Sequence, residues 1–545
     1  MRSWTDVAAC WEGQLTEALR TPNGTQRLRP AQVAALVELA QCRGAVLQGR
    51  VGIGKTLTLS LAPAMVGAQR PLIVAPGGIL RETAEHTRKN REHWQIPVNI
   101  ELLSYQAVSR FRTSGRSIEG LFGGLGPDFI GADEVHFLKN IGKSAVASLF
   151  QEYLEAHPEC VFFGCSGTLD KHGLADYAPF LDWALRDASP LPRSPDDIEV
   201  WSSVIDREDL SRAGDVCFDL GLHKNSTLED IRAAYRERLH GTPGVIVADT
   251  PFTDVPLTVE EFTIDVGLDE HYARLRTLGQ RPDGLDVLPD REERDDRPDR
   301  CHDGNIYATA RQFARGWFFK ADPLPPLWWM AARRDYFAWV RREIEARRAY
   351  TELEARRQAE REGLPELTAW NAAQAEFSPR YRHVWLSDAA LEACLAWGRA
   401  EPGVVWVDHP EFGRELARRG GWRYFGEAGL AACGATIESQ NGQQTIVASR
   451  RANGVGRNLQ YAFHRCLFTD VPTTSDDFEQ NVGRFHREGQ TIPVRAYLLL
   501  ACREDYLAAR KIQASAARIA ESAYGQKAVA CEWIKAKLPA GPAWE

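Results

Sequence analysis

From Leu28 to about Arg186, short apolar runs alternate with stretches whose apolar residues recur at helical spacing. The runs at 45–47, 72–74, 100–103, 129–132 and 161–165 have the length of buried strands. Strands separated by amphipathic helices give the βαβ rhythm of a parallel sheet covered on both faces. Such sheets hold their ligands just past the strand C-termini, so the loops after these runs are where chemistry is expected. The alternation lapses between 187 and 390 and resumes with runs at 403–407, 445–448, 465–468 and 494–500. A second α/β region therefore spans about 391–505, and a charged, Ala-rich helical tail follows.

The intervening region reads differently. A proline-punctuated loop (ASPLPRSPDD) precedes an apolar patch at 244–248, and the segment 281–300 is rich in charge and proline, as an exposed loop or tether would be. From 306 to 361 the pattern is mostly helical and ends in a charge-dominated arm with many i,i+4 pairs. Trp317, Trp328, Trp329 and Trp339 fall here beside Phe318, Phe319 and basic residues. Aromatics interleaved with arginine can stack bases; filling the core of a helical insertion is the plainer role. The expected organisation is 1–190, an α/β domain; 191–390, a mainly helical insertion with an exposed charged loop near 281–300; 391–505, a second α/β domain; and 506–545, a helical tail.

At 545 residues the chain exceeds what one core supports. A net charge of −8 excludes a global basic footprint, so any nucleic-acid contact must be a local groove. Arginine greatly outnumbers lysine and alanine is abundant, which suits a GC-rich coding sequence. The 11 cysteines include no Cys-x-x-Cys pair, so neither a zinc module nor a disulfide framework is signalled, and a reducing cytoplasm is expected. No apolar stretch is long enough to span a bilayer, and the N-terminus does not read as a signal peptide.

GRVGIGKT, from Gly49 to Thr56, satisfies the Gly-x-x-x-x-Gly-Lys-Thr phosphate-loop pattern between a candidate strand and a candidate helix. Gly49, Gly52 and Gly54 let backbone N–H groups turn onto phosphates at a helix N-terminus. Lys55 is placed to reach the β- and γ-phosphates of a nucleoside triphosphate, and the Thr56 hydroxyl to ligate magnesium. The strand 129–132 ends in Asp133-Glu134-Val135-His136, two carboxylates at a sheet's C-terminal edge. Asp133 suits magnesium held through its water shell, and Glu134 suits the orientation and deprotonation of an attacking water. An acidic helix cap is the plain alternative.

Phosphate loop, DExH box and Ser166-Gly167-Thr168 after the next apolar strand together resemble a superfamily 2 helicase. In the second α/β region QNVGRFHREGQ, from Gln480 to Gln490, resembles the sixth helicase motif in the form of the Swi/Snf branch, and GVGRNLQYA, from Gly454 through Asn458 to Ala462, resembles the fifth. The resemblance implies two RecA-like parallel-sheet domains with a helical insertion, using ATP and Mg2+. It implies that Arg484 and Arg487 serve a terminal phosphate from the second domain, Arg487 as the arginine finger, with Gln480 nearby. Their spacing of three predicts one face of a helix. Gln32, in Leu28-Arg29-Pro30-Ala31-Gln32, resembles the glutamine that reads adenine. Pro76 and Gly77 resemble motif Ia, Ser104-Tyr105-Gln106 the Ib region, and 404–409 motif IV, all facing nucleic acid. Ser166, Thr168, Gly454 and Asn458 would couple nucleotide state to the bound strand.

Two departures stand out: Leu169-Asp170 follows Thr168 where proline is usual, and Arg457 replaces an apolar residue. The implied activity is an ATP-dependent nucleic-acid translocase or helicase, on DNA by the His-Arg-x-Gly-Gln form. An RNA-remodelling ATPase and a nucleotide-gated nucleic-acid clamp without strand separation remain open. The lean architecture suggests a bacterial or phage protein of replication, recombination, repair or defence, with partner proteins from those systems.

Overall fold

The computed structural model describes residues 4–49, 52–77, 79–139, 144–167, 173–248, 255–282, 301–346, 352–454, 457–521 and 534. The expected tether at 281–300 lies, apart from residues 281 and 282, outside them, as do Thr168, Leu169 and Asp170.

The chain divides into two compact units. The first unit, residues 1–252 with 336–367 and 518–527, is built on strands β1 Ala45–Gly49, β2 Pro71–Ala75, β3 Glu101–Ser104, β4 Phe129–Asp133, β5 Val161–Ser166 and β6 Val245–Ala248. All are parallel, in the order β3-β2-β4-β5-β1-β6. The two-residue period of a strand decides where each side chain goes. Val46, Leu72, Val74, Ile130, Ala132 and Phe162 join the core on one face, while Ala45, Leu47, Ile73, Phe129, Phe163 and Cys165 join the core on the other. Every residue of β1, β2, β4, β5 and β6 is buried, which is why they read as continuous apolar runs. Each fully buried Val, Leu, Ile or Phe contributes about 1.5–3 kcal/mol, and this burial holds the strand ends in register.

The second unit, residues 253–335 with 368–517 and 528–545, repeats the plan. Its sheet uses β7 Leu257–Thr263, β10 Val404–Val407, β11 Arg423–Phe425, β12 Ile446–Ser449, β13 Arg465–Phe468 and β14 Val494–Leu500, all parallel, in the order β11-β12-β10-β13-β14-β7. Strands β8 Trp317–Ala321 and β9 Tyr381–Trp385 form a separate antiparallel pair. Both large sheets are wholly parallel with six strands each, so two α/β sheets are present as expected. Between β7 and β10 the chain is mainly helical, with helices Cys301–Phe313, Leu327–Glu345, Glu352–Glu362 and Pro365–Glu376.

Trp317 and Phe318 are core residues of the second unit, and Trp329 and Trp339 are buried, so most of the aromatic cluster does fill a core; Trp328 is 44% exposed. One expectation is corrected. The helix Ser475–Val482 ends before Arg484 and Arg487, which lie in the turns that follow rather than on a helical face. Gly483 stops it by its low helix propensity. Gln490 then anchors the turns: its buried amide donates to the carbonyls of Gln460 and Phe463 at 3.1 and 3.0 Å and accepts from the N–H groups of Thr491 and Ile492 at 3.0 Å.

Candidate nucleotide site and the second set of strand tips

In the first unit β1 ends at Gly49, and the helix Lys55–Val66 begins at its N-cap Gly54. Gly52 and Gly54 take φ values of 100° and 86°, a left-handed conformation that glycine adopts at little cost. A Cβ on Gly54 would lie 2.2 Å from the Gln32 amide nitrogen, so this position excludes side chains twice over. Lys55 is buried and its Nζ donates to Gly49 O at 2.7 Å, holding the ammonium over the loop. Thr56 occupies the first turn of the helix. Arg29 donates to Gly52 O at 2.6 Å. Gln32 Nε2 donates to Gly54 O at 3.2 Å, and its Oε1 accepts from Arg29 N at 2.8 Å. Gln32 therefore supports the loop from beneath, using both ends of its amide.

The tips of β4 and β5 complete the site. Asp133, the last residue of β4, is 4% exposed, and Glu134 follows in the left-handed region at φ 53°. That conformation is uncommon outside glycine and marks a constrained position. It accompanies a carboxylate buried beside β5. Glu134 Oε2 accepts from Ser166 Oγ at 3.2 Å and from Gly167 N at 3.4 Å, and it lies 3.4 Å from His136 Nδ1. His136 Nδ1 is also 2.9 Å from Ser166 Oγ. Burial pushes the Glu134 carboxyl up, but the His136 hydrogen bond, the Lys55 charge and the Gly167 N–H outweigh it and hold the group well below its ordinary value. Glu134 is thus ionised at neutral pH. A Cβ on Gly167 would sit 3.8 Å from Lys55 Nζ, which shows how closely the β5 tip approaches the ammonium.

Lys55, Glu134 and Ser166 are therefore brought together, and Asp133 stands at the same edge. Sequence reasoning assigned no role to His136, although it ends the DExH run, and placed Tyr105 only in the Ib-like segment expected to face nucleic acid. The Tyr105 hydroxyl donates to Asp133 O at 2.7 Å, and its ring stacks on Phe137 at 5.5 Å with 7° between planes. Its neighbour Gln106 accepts from Gly77 N at 3.1 Å, so Pro76-Gly77 and the Ser104-Tyr105-Gln106 segment form one corner. The residues present suit a triphosphate and a magnesium ion: a glycine cradle of N–H donors at a helix N-terminus, one ammonium, one hydroxyl at Thr56 and one carboxylate at Asp133.

In the second unit the strand tips carry guanidiniums that already have partners. Arg450, just after β12, donates to both oxygens of Asp408, just after β10, at 2.7 and 2.6 Å. Arg484 is 4% exposed and its Nε donates to Gly454 O at 3.0 Å, so it joins the two motif-like segments. Arg487 is half-buried. Arg457 pairs with Glu438 at 2.7 Å, which accounts for a cation where an apolar residue was expected. Asn458, beside it, is half-buried. A polar cleft of about 550 Å3 opens over these tips, lined by Asp408, Arg450, Gly454, Asp470 and Gln480 among others. Gln480 Nε2 is buried there without a hydrogen-bond partner.

No family model matches the chain, and no curated protein does. Among solved structures it is similar to the Sulfolobus solfataricus SWI2/SNF2 ATPase core in complex with dsDNA, at 14% identity and a TM-score of 0.31, covering 89% of this chain and 90% of that one. It is also similar to the Pyrococcus furiosus Hef helicase domain, at 12% identity and a TM-score of 0.34, covering 86% and 95%.

Proposed function

We propose that this chain is an ATP-dependent nucleic-acid translocase or helicase that acts on DNA and hydrolyses ATP held by its first unit. The observation that carries the reading is the convergence of Lys55, Glu134, His136 and Ser166 beside a phosphate loop whose glycines adopt the cradle conformation. Lys55 and the loop N–H groups bind the β- and γ-phosphates, and Thr56 and Asp133 hold magnesium. When bound, the metal neutralises charge developing on the phosphates. Glu134 is ionised and fixed by three donors, so it aligns a water for in-line attack on the γ-phosphorus and accepts its proton as the P–O bond breaks. Arg487, with Arg484, is assigned to the terminal phosphate from the second unit, where an arginine finger speeds hydrolysis by about 10³–10⁵.

Ser166 touches the Glu134 carboxylate, and the Gly77–Gln106 contact and the adjacent Tyr105, which donates to the Asp133 main-chain carbonyl, link the Pro76-Gly77 corner to the end of β4. These contacts support coupling of hydrolysis to a strand held at the Pro76-Gly77 corner by its phosphates, without base readout. The preference for DNA rests on the His-Arg-x-Gly-Gln resemblance. No described helix is long and apolar enough to cross a membrane.

The test is steady-state ATPase of the full chain and of Glu134→Gln, each with double-stranded DNA, single-stranded DNA and RNA. Stimulation by DNA and loss of turnover by about 100-fold or more in the variant are expected. Undiminished turnover in Glu134→Gln overturns the assignment, and stimulation by RNA alone transfers the activity to RNA.

A further inference from the structure

Gln32 was expected to read adenine, and the structure gives its amide other work. It is the third residue of helix Pro30–Cys42 and is only 3% exposed. A glutamine amide offers two N–H donors on its nitrogen and two lone pairs on its oxygen. Nε2 donates to Gly54 O at 3.2 Å, and Oε1 accepts from Arg29 N at 2.8 Å, which closes the start of the helix in the manner of a capping box. Reading adenine takes one donor and one acceptor presented side by side to the base edge. Those are the two ends that Gln32 has already engaged, and the residue is buried around them. Arg29 in turn donates to Gly52 O at 2.6 Å, so this segment holds two carbonyls of the phosphate loop. Both belong to glycines at positive φ, and Gly54 is also the N-cap of the helix that begins at Lys55.

We infer that the substrates of this site are the nucleoside triphosphates as a class, purine and pyrimidine alike, with Gln32 a positioning residue for the phosphate loop rather than a reader of the base. The groups assigned to the nucleotide, namely the loop N–H donors, Lys55, Thr56 and Asp133, address phosphates or their metal, which every nucleoside triphosphate shares. A site selects a base when the wrong one leaves its buried polar groups unpaired, and rejection then reaches about 10⁴-fold. Gln32 has a partner at each end before any nucleotide arrives, so a wrong base strands nothing there. For adenine to engage the amide, the bonds to Gly54 O and Arg29 N must break as two others form. For any other base Gln32 stays where it is. The hydrogen bonds balance in both cases, and the base is not discriminated.

This inference rests on the nucleotide site proposed above, and the experiment tells the two failures apart. For the full chain, kcat/KM is measured with ATP, GTP, CTP and UTP. Displacement of an ATP carrying a fluorophore on its ribose is measured with the same four and with inorganic tripolyphosphate. The unaltered protein should bind and turn over the four within about tenfold of one another, a comparison that needs no variant. Gln32→Ala should weaken all four and tripolyphosphate by one common factor of about three to ten, because the lost support is felt at the phosphates. Gln41→Ala, exposed on the same helix, should change none of them. Tripolyphosphate has no base, so its affinity moves only if Gln32 acts through the loop; an unmoved value in Gln32→Ala overturns the positioning role. A preference for ATP beyond about tenfold overturns the substrate class: if Gln32→Ala abolishes it, Gln32 reads adenine, and if it persists, another group does. Equal displacement by all four without turnover overturns the hydrolysis reading and leaves this inference standing. No binding of the fluorescent nucleotide overturns both.

Discussion

The two α/β units place opposite kinds of charge chemistry at equivalent strand ends. In the first, the carboxylate of Glu134 is held by the Ser166 hydroxyl, the Gly167 N–H and His136, and Lys55 donates to the Gly49 carbonyl. In the second, Arg450 is matched by Asp408, while Arg311 and Arg315 close on Asp505 and Asp470 in a buried network. A carbonyl partner leaves a cation its full charge for a phosphate, whereas a carboxylate partner spends it internally. The buried network serves rigidity in the second unit, where Arg484, whose Nε donates to the Gly454 carbonyl, is the exception.

The largest effect should come from removing a cation on each side. Lys55→Ala is expected to lower ATPase turnover by about 100-fold or more and to weaken nucleotide binding. Arg487→Ala should lower turnover by about 1,000-fold or more while leaving nucleotide affinity nearly unchanged, because a finger acts in the transition state. Single-turnover hydrolysis with separately measured nucleotide affinity checks both. If Arg487→Ala turns over normally and Arg484→Ala does not, the buried arginine is the finger.

Next in size is the buried network itself. Arg315 and Asp505 are fully buried and joined by two 3.0 Å hydrogen bonds. Arg315→Met removes the guanidinium shared by Asp505 and Asp470, leaving Arg311 on Asp505, and should cost about 3–5 kcal/mol, read as a lower melting temperature. Burial raises the Asp470 carboxyl, but Arg315, His409 and Arg311 bring it below its ordinary 3.8. Its folded value is depressed, so its contribution to stability is complete above that ordinary value and drains as pH falls further. Arg315→Met should remove much of this acid sensitivity in urea titrations.

This contrast also explains what was legible in the sequence. Both sheets were readable because strands buried on two faces become uninterrupted apolar runs; β3, β7, β8, β9 and the short β11 break that pattern. The phosphate loop was readable because its chemistry is local in sequence. The partners of Arg484 and Gln490 were not, since Gly454 O and the carbonyls of Gln460 and Phe463 are brought close by tertiary packing and carry no side-chain signal. Gln32 was legible only through its resemblance to an adenine-reading glutamine, while its engagement with Gly54 O depends on how its helix docks.

The smallest effect sharpens the first unit's half of the comparison. His136 is one of three influences that hold the Glu134 carboxyl low against burial, the others being Lys55 and the Gly167 N–H. His136→Ala removes it, so burial gains ground and the carboxyl titrates at a higher pH. The sign follows: the acid limb of turnover, measured downward from neutral pH, moves upward, while turnover at neutral pH changes little on this account. His136→Asn places an amide donor near the position of Nδ1 and should restore much of the limb without restoring a titratable charge. A purely structural histidine would change the melting temperature and the height of the profile but not its midpoint. An unmoved midpoint in His136→Ala would mean that Lys55 and the Gly167 N–H alone hold Glu134 ionised, and the first unit's chemistry would rest on the phosphate-loop lysine to a greater degree than its hydrogen bonds imply.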